Sequence, residues 1–410
     1  MLFIYNIAIF IYSQLLKLFS LFVPKAKLFV QGRKNLFKNI ETALNTNQKT
    51  IWFHFASLGE FEQGRTVLEA CKQHFTNHKI ILTFFSPSGY EVRKNYNHAD
   101  YIWYLPLDTS HNANKFINLI KPDFVVFTKY DFWYHYFNVL NHKKIPLYLI
   151  AGSFRNDQLF FKRYGNFYRN ILKNINFFFL QNKTSESLLN SIGIVNTITT
   201  GDSRFDRVIE NTKNASKNEI AEKFSNHHKV IVCGSTWPPD ENILAEIAMD
   251  FPQLKFIIAP HEVHENNIKN IEAKFKSTVR YSSIINKKED INNQQVLIID
   301  NIGILSQLYQ YAYLAYVGGG FETGLHNTQE PAAFSKSVIV GPHHAKFPEV
   351  GEMIALGACK SINSAKELKE ILELNLLNED TGKIAGEYIH QNGGATKIIM
   401  NYLKEKHPLI

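Results

Sequence analysis

Cysteine is scarce in this 410-residue chain: only Cys71, Cys233 and Cys359 occur, widely spaced and without a Cys-x-x-Cys pair. That excludes the disulfide framework of a small secreted domain and leaves a structural zinc site without support. Acidic residues are missing from the N-terminus, where Lys17, Lys25, Lys27, Arg33, Lys34 and Lys38 all precede Glu41. No low-complexity tract and no short-period repeat is present, and no Gly-x-Gly-x-x-Gly fingerprint follows a strand. Charged residues make up 20% and hydrophobic residues 45%, near the averages for folded proteins, which excludes wholesale disorder and a polytopic membrane protein. The length suggests two domains.

The formal net charge of +8 is concentrated at the start of the chain, among Leu, Phe, Ile and Val. Basic residues interleaved in this way fit an anionic membrane surface better than nucleic acid. Residues 1–23 are about as long as a spanning helix must be. Asn6, Ser13, Lys17 and Ser20 recur at helical spacing on one face, and a lysine deep in a bilayer costs about 2.5 to 3.5 kcal/mol. The expectation is a helix lying in the interface, with a helix docked on the protein's own core as the alternative.

From about residue 50, short β-rich runs alternate with helical stretches, the pattern of parallel sheets with crossover helices. Strands are predicted at Ile51–Phe55, Ile80–Phe85, Phe124–Thr128, Leu147–Ala151 and Phe177–Gln181. The polar stretch 207–228 reads as an interdomain linker. Strands resume at Val230–Cys233, Phe256–Ala259, Val296–Asp300, Leu314–Val317 and Val338–Val340. The expected layout is a membrane-associated helix at 1–23, a Rossmann-like domain at 24–206, the linker at 207–228 and a second Rossmann-like domain at 229–410. Ligands of such sheets bind beyond the carboxyl ends of the strands.

Three loops at strand ends hold candidate chemistry. After the first strand, His54-Phe-Ala-Ser-Leu-Gly-Glu60 places Glu60 at a helix N-terminus. The positive end of a helix favours a carboxylate there, which suits a general base and equally a residue that only stabilises its helix. Gly234, Ser235 and Thr236 precede two prolines, Asp240 and Glu241, offering amides and hydroxyls to a phosphate or an ordinary helix cap. The third loop runs from Gly318, Gly319 and Gly320 to Gly324, His326, Asn327, Thr328, Gln329 and Glu330. Loop amides could meet a nucleotide phosphate while the Asn and Glu pair meets ribose hydroxyls, or the polar residues could simply cap a helix. The pairs His261 with His264 and His343 with His344 lack a carboxylate or cysteine at ligand spacing, so no metal is expected.

Taken in order, these segments resemble the family of 3-deoxy-D-manno-octulosonic acid (Kdo) transferases of lipid A and lipopolysaccharide biosynthesis. The shared features are the apolar, basic N-terminus, the segment around Glu60, Ser86–Gly89, Phe132–Trp133, Gly201–Asp206, Gly234–Glu241, Pro260–His264, Asp300–Leu305, Gly318–Ala332 and Gly341–Phe347. The resemblance implies the glycosyltransferase B fold, two Rossmann-like α/β domains facing a cleft in which transfer occurs. It implies an inverting glycosyltransferase moving Kdo from CMP-Kdo to the lipid A precursor (lipid IVA) at the cytoplasmic face of the inner membrane. No cofactor and no nucleic acid partner is implied. Another sugar-nucleotide transferase or an epimerase of the same fold is the alternative.

By the same resemblance Glu60 is the catalytic base, and Arg204 stands where the family commonly has a lysine that stabilises the transition state. The resemblance assigns CMP binding to Pro260, His261, the turn Ile302-Gly303-Ile304, Asn327, Thr328, Gln329 and Glu330, while Ser235, Thr236, Gly319 and Gly320 are substrate-binding candidates from the two glycine-bearing loops themselves. Two departures stand out. Lys129, Tyr130 and Asp131 replace two glutamates flanking a threonine, so Lys129 and Asp131 enter as candidate catalytic residues. His261 occupies a position where arginine is common.

Overall fold

A computed structural model describes residues 1–44, 48–286, 291, 293–322 and 324–408. The chain divides into two units, residues 1–206 with 394–410, and residues 207–393. Each contains a seven-stranded, wholly parallel sheet. Two Rossmann-like units in one chain are the glycosyltransferase B class that the resemblance implies.

The strands of the first unit are β1 (Lys49–Phe55), β2 (His78–Phe84), β3 (Tyr101–Tyr104), β4 (Pro122–Thr128), β5 (Leu147–Gly152), β6 (Phe177–Leu180) and β7 (Thr197–Thr199). Their order is β3-β2-β1-β4-β5-β6-β7. Successive side chains point to opposite faces of a strand, and in a parallel sheet both faces are covered. Trp52, Val125, Phe127, Leu147 and Leu149 accordingly enter one core layer. Ile51, Phe53, Phe55, Phe124, Val126 and Tyr148 enter the other.

The second unit comprises β8 (Val230–Thr236), β9 (Lys255–Pro260), β10 (Thr278–Arg280), β11 (Val296–Ile298), β12 (Leu314–Val317), β13 (Val338–Val340) and β14 (Cys359–Ser361). They lie in the order β10-β11-β9-β8-β12-β13-β14. Ile231, Cys233, Phe256, Leu314 and Tyr316 form one layer and Val230, Val232, Ile257 and Ala315 the other.

The structure redraws both ends of the expected second domain. Residues 207–228 are not a linker: they contain the end of helix Ser203–Lys213 and the helix Glu219–Ser225, whose Ala221 and Phe224 are fully buried in the second unit's core. The helix Ala395–Lys406 belongs to the first unit, where Ile399, Met400 and Leu403 join the Phe53 layer. Its N-terminus is held by Asp206, which accepts from the amides of Gly394 and, at 2.6 Å, Thr396. Unpaired amides at a helix start need such an acceptor.

The N-terminal helix Leu2–Phe19 has no buried residue and presents Phe3, Ile4, Phe10, Leu18 and Phe19 to the outside. It meets the first unit through polar groups. Tyr5 donates to Asp108 Oδ2 at 2.5 Å, and Asn6 Oδ1 lies 2.7 Å from His135 Nε2. Asn6, on the polar face that the sequence pattern marks out, thus faces the domain.

Candidate functional site

The chain leaves β1 toward β2 on one side and reaches β4 on the other, so the loops after β1 and β4 flank the point where strand order reverses. Doubly wound sheets bind ligands at such a point. The loop after β1 ends in Ser57, which caps the helix Leu58–His74 by accepting from Gly59 N and also donates to the Glu60 carboxylate. The helix lies close on the sheet because Gly64 has no side chain: a Cβ there would sit 2.3 Å from the Phe55 ring. Glu60 is partly exposed in the first turn.

After β4, Lys129 adopts a left-handed backbone with φ of 53°, uncommon for a non-glycine residue. Its amide donates to Ile150 O at 3.2 Å. Burial holds the Lys129 ammonium below the usual lysine range, the Asp202 and Glu60 carboxylates pull it back up, and Arg204 pushes it down. Glu60, Asp202 and Arg204 therefore all lie close enough to act on Lys129. Arg204 is bound through Nε and Nη2 to Asp202 Oδ2 at 2.8 and 2.7 Å, and its amide donates to Oδ1 at 2.9 Å.

Asp131 has a different partner. Its Oδ2 lies 2.9 Å from Nε2 of His54, a fully buried side chain whose Nδ1 is 2.9 Å from Thr83 Oγ1. Sequence reasoning gave no role to His54, Thr83 or Asp202. His54 and Asp202 lie inside the segments that carry the resemblance, and the alternation of β1 would have turned His54 inward.

In the second unit the corresponding strands are β8 and β12. A pocket of about 280 Å³ opens there, lined by Ser235, Gly303, Leu305, Ser306, Tyr309, His326, Asn327 and Glu330. Ser235 has a left-handed φ of 54° and Gly303 one of 102°, which only glycine adopts freely. Asn327 Nδ2 reaches Glu330 Oε1 at 3.3 Å, while Asn327 Oδ1 accepts from Gln329 N. The asparagine both accepts from the first amide of the short helix Gln329–Ala333 and lines the pocket. Trp237 Nε1 donates to His326 Nε2 at 3.3 Å, and the His261 ring lies 4.7 Å from both of those rings. Burial, with a contribution from His261, lowers the His326 pKa, consistent with a neutral ring accepting from tryptophan.

Several expected donor residues do not line this pocket. Thr236, Pro260, Thr328, Gln329, Gly319 and Gly320 are buried, and Ile302 is 84% exposed. Ile304 is half-buried just before the helical turn Leu305–Leu308. The glycine run serves close packing. A Cβ at Gly318 would lie 2.4 Å from Ser235 O, and one at Gly320 would lie 2.7 Å from Gly341 N. The Gly319 amide, proposed for a phosphate, donates instead to the buried Asp240 carboxylate at 3.0 Å, which also accepts from Trp237 N and Tyr316 OH. Tyr309, overlooked in the sequence, fills the space left by Gly234.

Residues 31–207 match the family model described as 3-deoxy-D-manno-octulosonic-acid transferase (kdotransferase). The chain is 26% identical over 365 residues to a 3-deoxy-D-manno-octulosonic acid transferase of Chlamydia muridarum, covering 84% of this chain and 83% of that one. A bifunctional glycosyltransferase/methyltransferase of Fusobacterium nucleatum is 24% identical over 388 residues; the match takes in 88% of this chain and 59% of that protein's length. Among solved structures, the UDP-GlcNAc 2-epimerase of Neisseria meningitidis bound to UDP-GlcNAc superposes with a TM-score of 0.59 at 19% identity, over 87% of this chain and all of that one. That likeness concerns the fold alone.

Proposed function

We propose that the chain is a Kdo transferase, as the match of residues 31–207 to that family model and the 26% identity to a Chlamydia muridarum Kdo transferase support, and that it moves Kdo from CMP-Kdo to the lipid A precursor with inversion at the anomeric centre. Glu60 and Lys129 in the two loops that flank the strand-order reversal of the first sheet, with Arg204 close enough to act on Lys129, carry this reading. Glu60 deprotonates an acceptor hydroxyl as it attacks the anomeric carbon. The departing nucleotide phosphate takes on negative charge as the glycosidic bond breaks, and the cations Lys129 and Arg204 stabilise it. In the second unit, Glu330 and Asn327 accept and donate to the ribose, and Ser235 with His326 lies where a phosphate would be met. No metal or cofactor takes part in this scheme.

The exposed apolar face of helix Leu2–Phe19, bordered by Lys17, Lys25 and Lys27, supports residence on an anionic bilayer at the cytoplasmic face of the inner membrane. Hydrogen bonding of Tyr5 and Asn6 to the first unit favours a helix lying on the surface over one crossing it. Incubation with CMP-Kdo and lipid A precursor, read by mass spectrometry, tests the function. Product carrying Kdo is expected. Transfer from a UDP-sugar with none from CMP-Kdo would replace this reading by another sugar-nucleotide enzyme of the same fold.

A further inference from the structure

Three rings stack beside the pocket of the second unit. Trp237 follows β8, His261 follows β9, and His326 lies in the glycine-rich loop after β12. The His261 ring centroid is 4.7 Å from each of the other two, with planes inclined 22° to the indole and 31° to the His326 ring. The His261 amide donates to Thr236 O at 3.0 Å, which ties the loop after β9 to the end of β8. Of the three rings only His326 lines the pocket, beside Ser235, Asn327 and Glu330. The other two stand behind the ring that a ligand would touch.

Hydrogen bonding fixes where the His326 proton sits. An indole N–H only donates, so the 3.3 Å contact from Trp237 Nε1 requires a lone pair on His326 Nε2. A neutral imidazole carries one proton, which is thereby placed on Nδ1. A second proton, on Nε2, would set N–H against N–H, and burial together with His261 already lowers the His326 pKa. The other titratable groups nearby are Asp240, on the Trp237 amide, and Glu330 and Tyr309 on the pocket wall. Trp237 is held in turn. Its amide donates to Asp240 Oδ2 at 2.9 Å, and the same buried carboxylate accepts from Gly319 N at 3.0 Å. The His326 amide donates to Gly318 O at 3.2 Å, and a Cβ on Gly319 would come within 3.0 Å of His326 Cδ2. The Nε2 and Cδ2 edge is thus enclosed, while Nδ1 takes no hydrogen bond among the described residues.

We infer that Trp237 is a positioning residue for the nucleotide: its indole N–H holds His326 in the Nδ1–H tautomer, so that Nδ1 donates to a phosphate oxygen. Free histidine in water favours Nε2–H, the form in which Nδ1 would turn a lone pair toward the phosphate and repel it. The indole makes the difference between a donor and an acceptor at the pocket wall. This role rests on the reading of the pocket as the place where a nucleotide phosphate is met.

The test uses the full chain in detergent, isotopically labelled in its histidine ring nitrogens, with CMP and cytidine as probes. Long-range proton–nitrogen spectra near neutral pH should show His326 protonated on Nδ1, the signal being assigned by its loss in His326→Gln. Trp237→Phe keeps an aromatic ring in the stack but removes the donor, and should move the proton to Nε2. In calorimetry the same substitution should weaken CMP binding about twofold to tenfold, the worth of one hydrogen bond, and leave cytidine, which lacks the phosphate, unchanged. His326→Gln supplies an amide donor that needs no tautomer, so Trp237→Phe added to it should cost no further CMP affinity. His326 protonated on Nε2 in the unaltered chain overturns the inference without any variant. So does an equal loss of CMP affinity from Trp237→Phe with and without His326→Gln, the result that a purely structural indole would give. The transfer assay separates this role from the function. Kdo transfer with no coupling between the two substitutions removes the positioning role and leaves the transferase, whereas coupling without Kdo transfer removes the transferase and leaves the nucleotide pocket.

Discussion

In the first unit the loops at the strand-order reversal carry Glu60, Lys129 and Asp131, with Arg204 and Asp202 close enough to interact; in the second, the end of β8 carries Ser235 and the loop after β12 begins with three glycines. Ionised groups near a sheet end lose hydration and need partners, which is why Arg204 is tied to Asp202 and Lys129 sits below the usual lysine range. The second unit keeps its desolvated carboxylate out of the pocket, with buried Asp240 accepting from Trp237 N, Gly319 N and Tyr316 OH, and lines the pocket with hydroxyl, amide and imidazole groups beside Glu330. The contrast matches a division of labour. Charge is placed where bonds are proposed to change, and neutral donors where a ligand is proposed to be held.

The strongest way to break this division is Glu60→Gln, which keeps the size of the side chain and its contact with Ser57 but cannot take a proton. Turnover should fall about 100-fold to 10,000-fold, the contribution of a positioned general base, with nucleotide affinity unchanged. Steady-state kinetics beside calorimetric titration with CMP measures both. Retention of more than about a tenth of the turnover would return Glu60 to a helix-stabilising role.

Glu330→Ala probes the second unit and should do the reverse. Nucleotide affinity should weaken by about 1.5 to 3 kcal/mol, the range for a hydrogen bond to a charged group. Calorimetry with CMP reads the loss. Unchanged affinity with a lower melting temperature would make Glu330 structural and blur the contrast between units.

How much of this was legible beforehand follows the same sheet geometry. The ten strands expected from apolar runs are the central ones, buried on both faces. The four that escaped, β3, β7, β10 and β14, are the four sheet edges. Edge strands are short and half-solvated, and Thr197–Thr199, Thr278–Arg280 and Cys359–Ser361 carry no continuous apolar run, whereas Tyr101–Tyr104, Tyr-Ile-Trp-Tyr, is an aromatic run only four residues long. The polar composition of 207–228 suggested a linker because only Ala221, Phe224 and Val208 of its residues pack inward, too few to set a visible period. The return of helix Ala395–Lys406 to the first unit depends on Asp206 and on contacts such as Thr66 with Thr396, separated by hundreds of positions. Local pattern does not reveal such pairs. Glu60 was placed by a local signal, a strand end followed by a helix start. His54 and Thr83 meet only when β1 and β2 pair, so their relay to Asp131 was invisible.

A smaller effect tests the neutral character of the second pocket. Burial lowers the His326 pKa from the ordinary value of 6.5, so the unfolded chain binds that proton more readily than the folded one. The stability linked to this group is fully present above about pH 6.5 and is lost as pH falls through the folded pKa. Melting temperature should therefore decline on the acid side, and His326→Gln should make the decline shallower. His135 and His407 of the first unit are lowered by burial too and contribute to the same slope. An identical slope in the variant would mean that His326 does not titrate in this range.

The smallest effect belongs to the junction of the N-terminal helix with the first unit. Tyr5→Phe removes one hydrogen bond to Asp108, which is fully enclosed but still accepts from the amides of His135 and Tyr136, each at 3.0 Å. Burial raises the Asp108 pKa, so loss of one donor falls on a group that is costly to leave short of partners. A loss of about 0.5 to 1.5 kcal/mol in stability is expected, with turnover of a water-soluble acceptor unchanged. Deletion of residues 1–23 removes the same bond together with the apolar face, and should shift the chain from the membrane fraction to the soluble one with its melting transition intact. If the deletion unfolds the chain while Tyr5→Phe is silent, the helix is part of the core. The comparison between units would then have to count it with the first sheet. If Tyr5→Phe lowers membrane retention without touching stability, the hydroxyl instead sets how the helix meets the lipid.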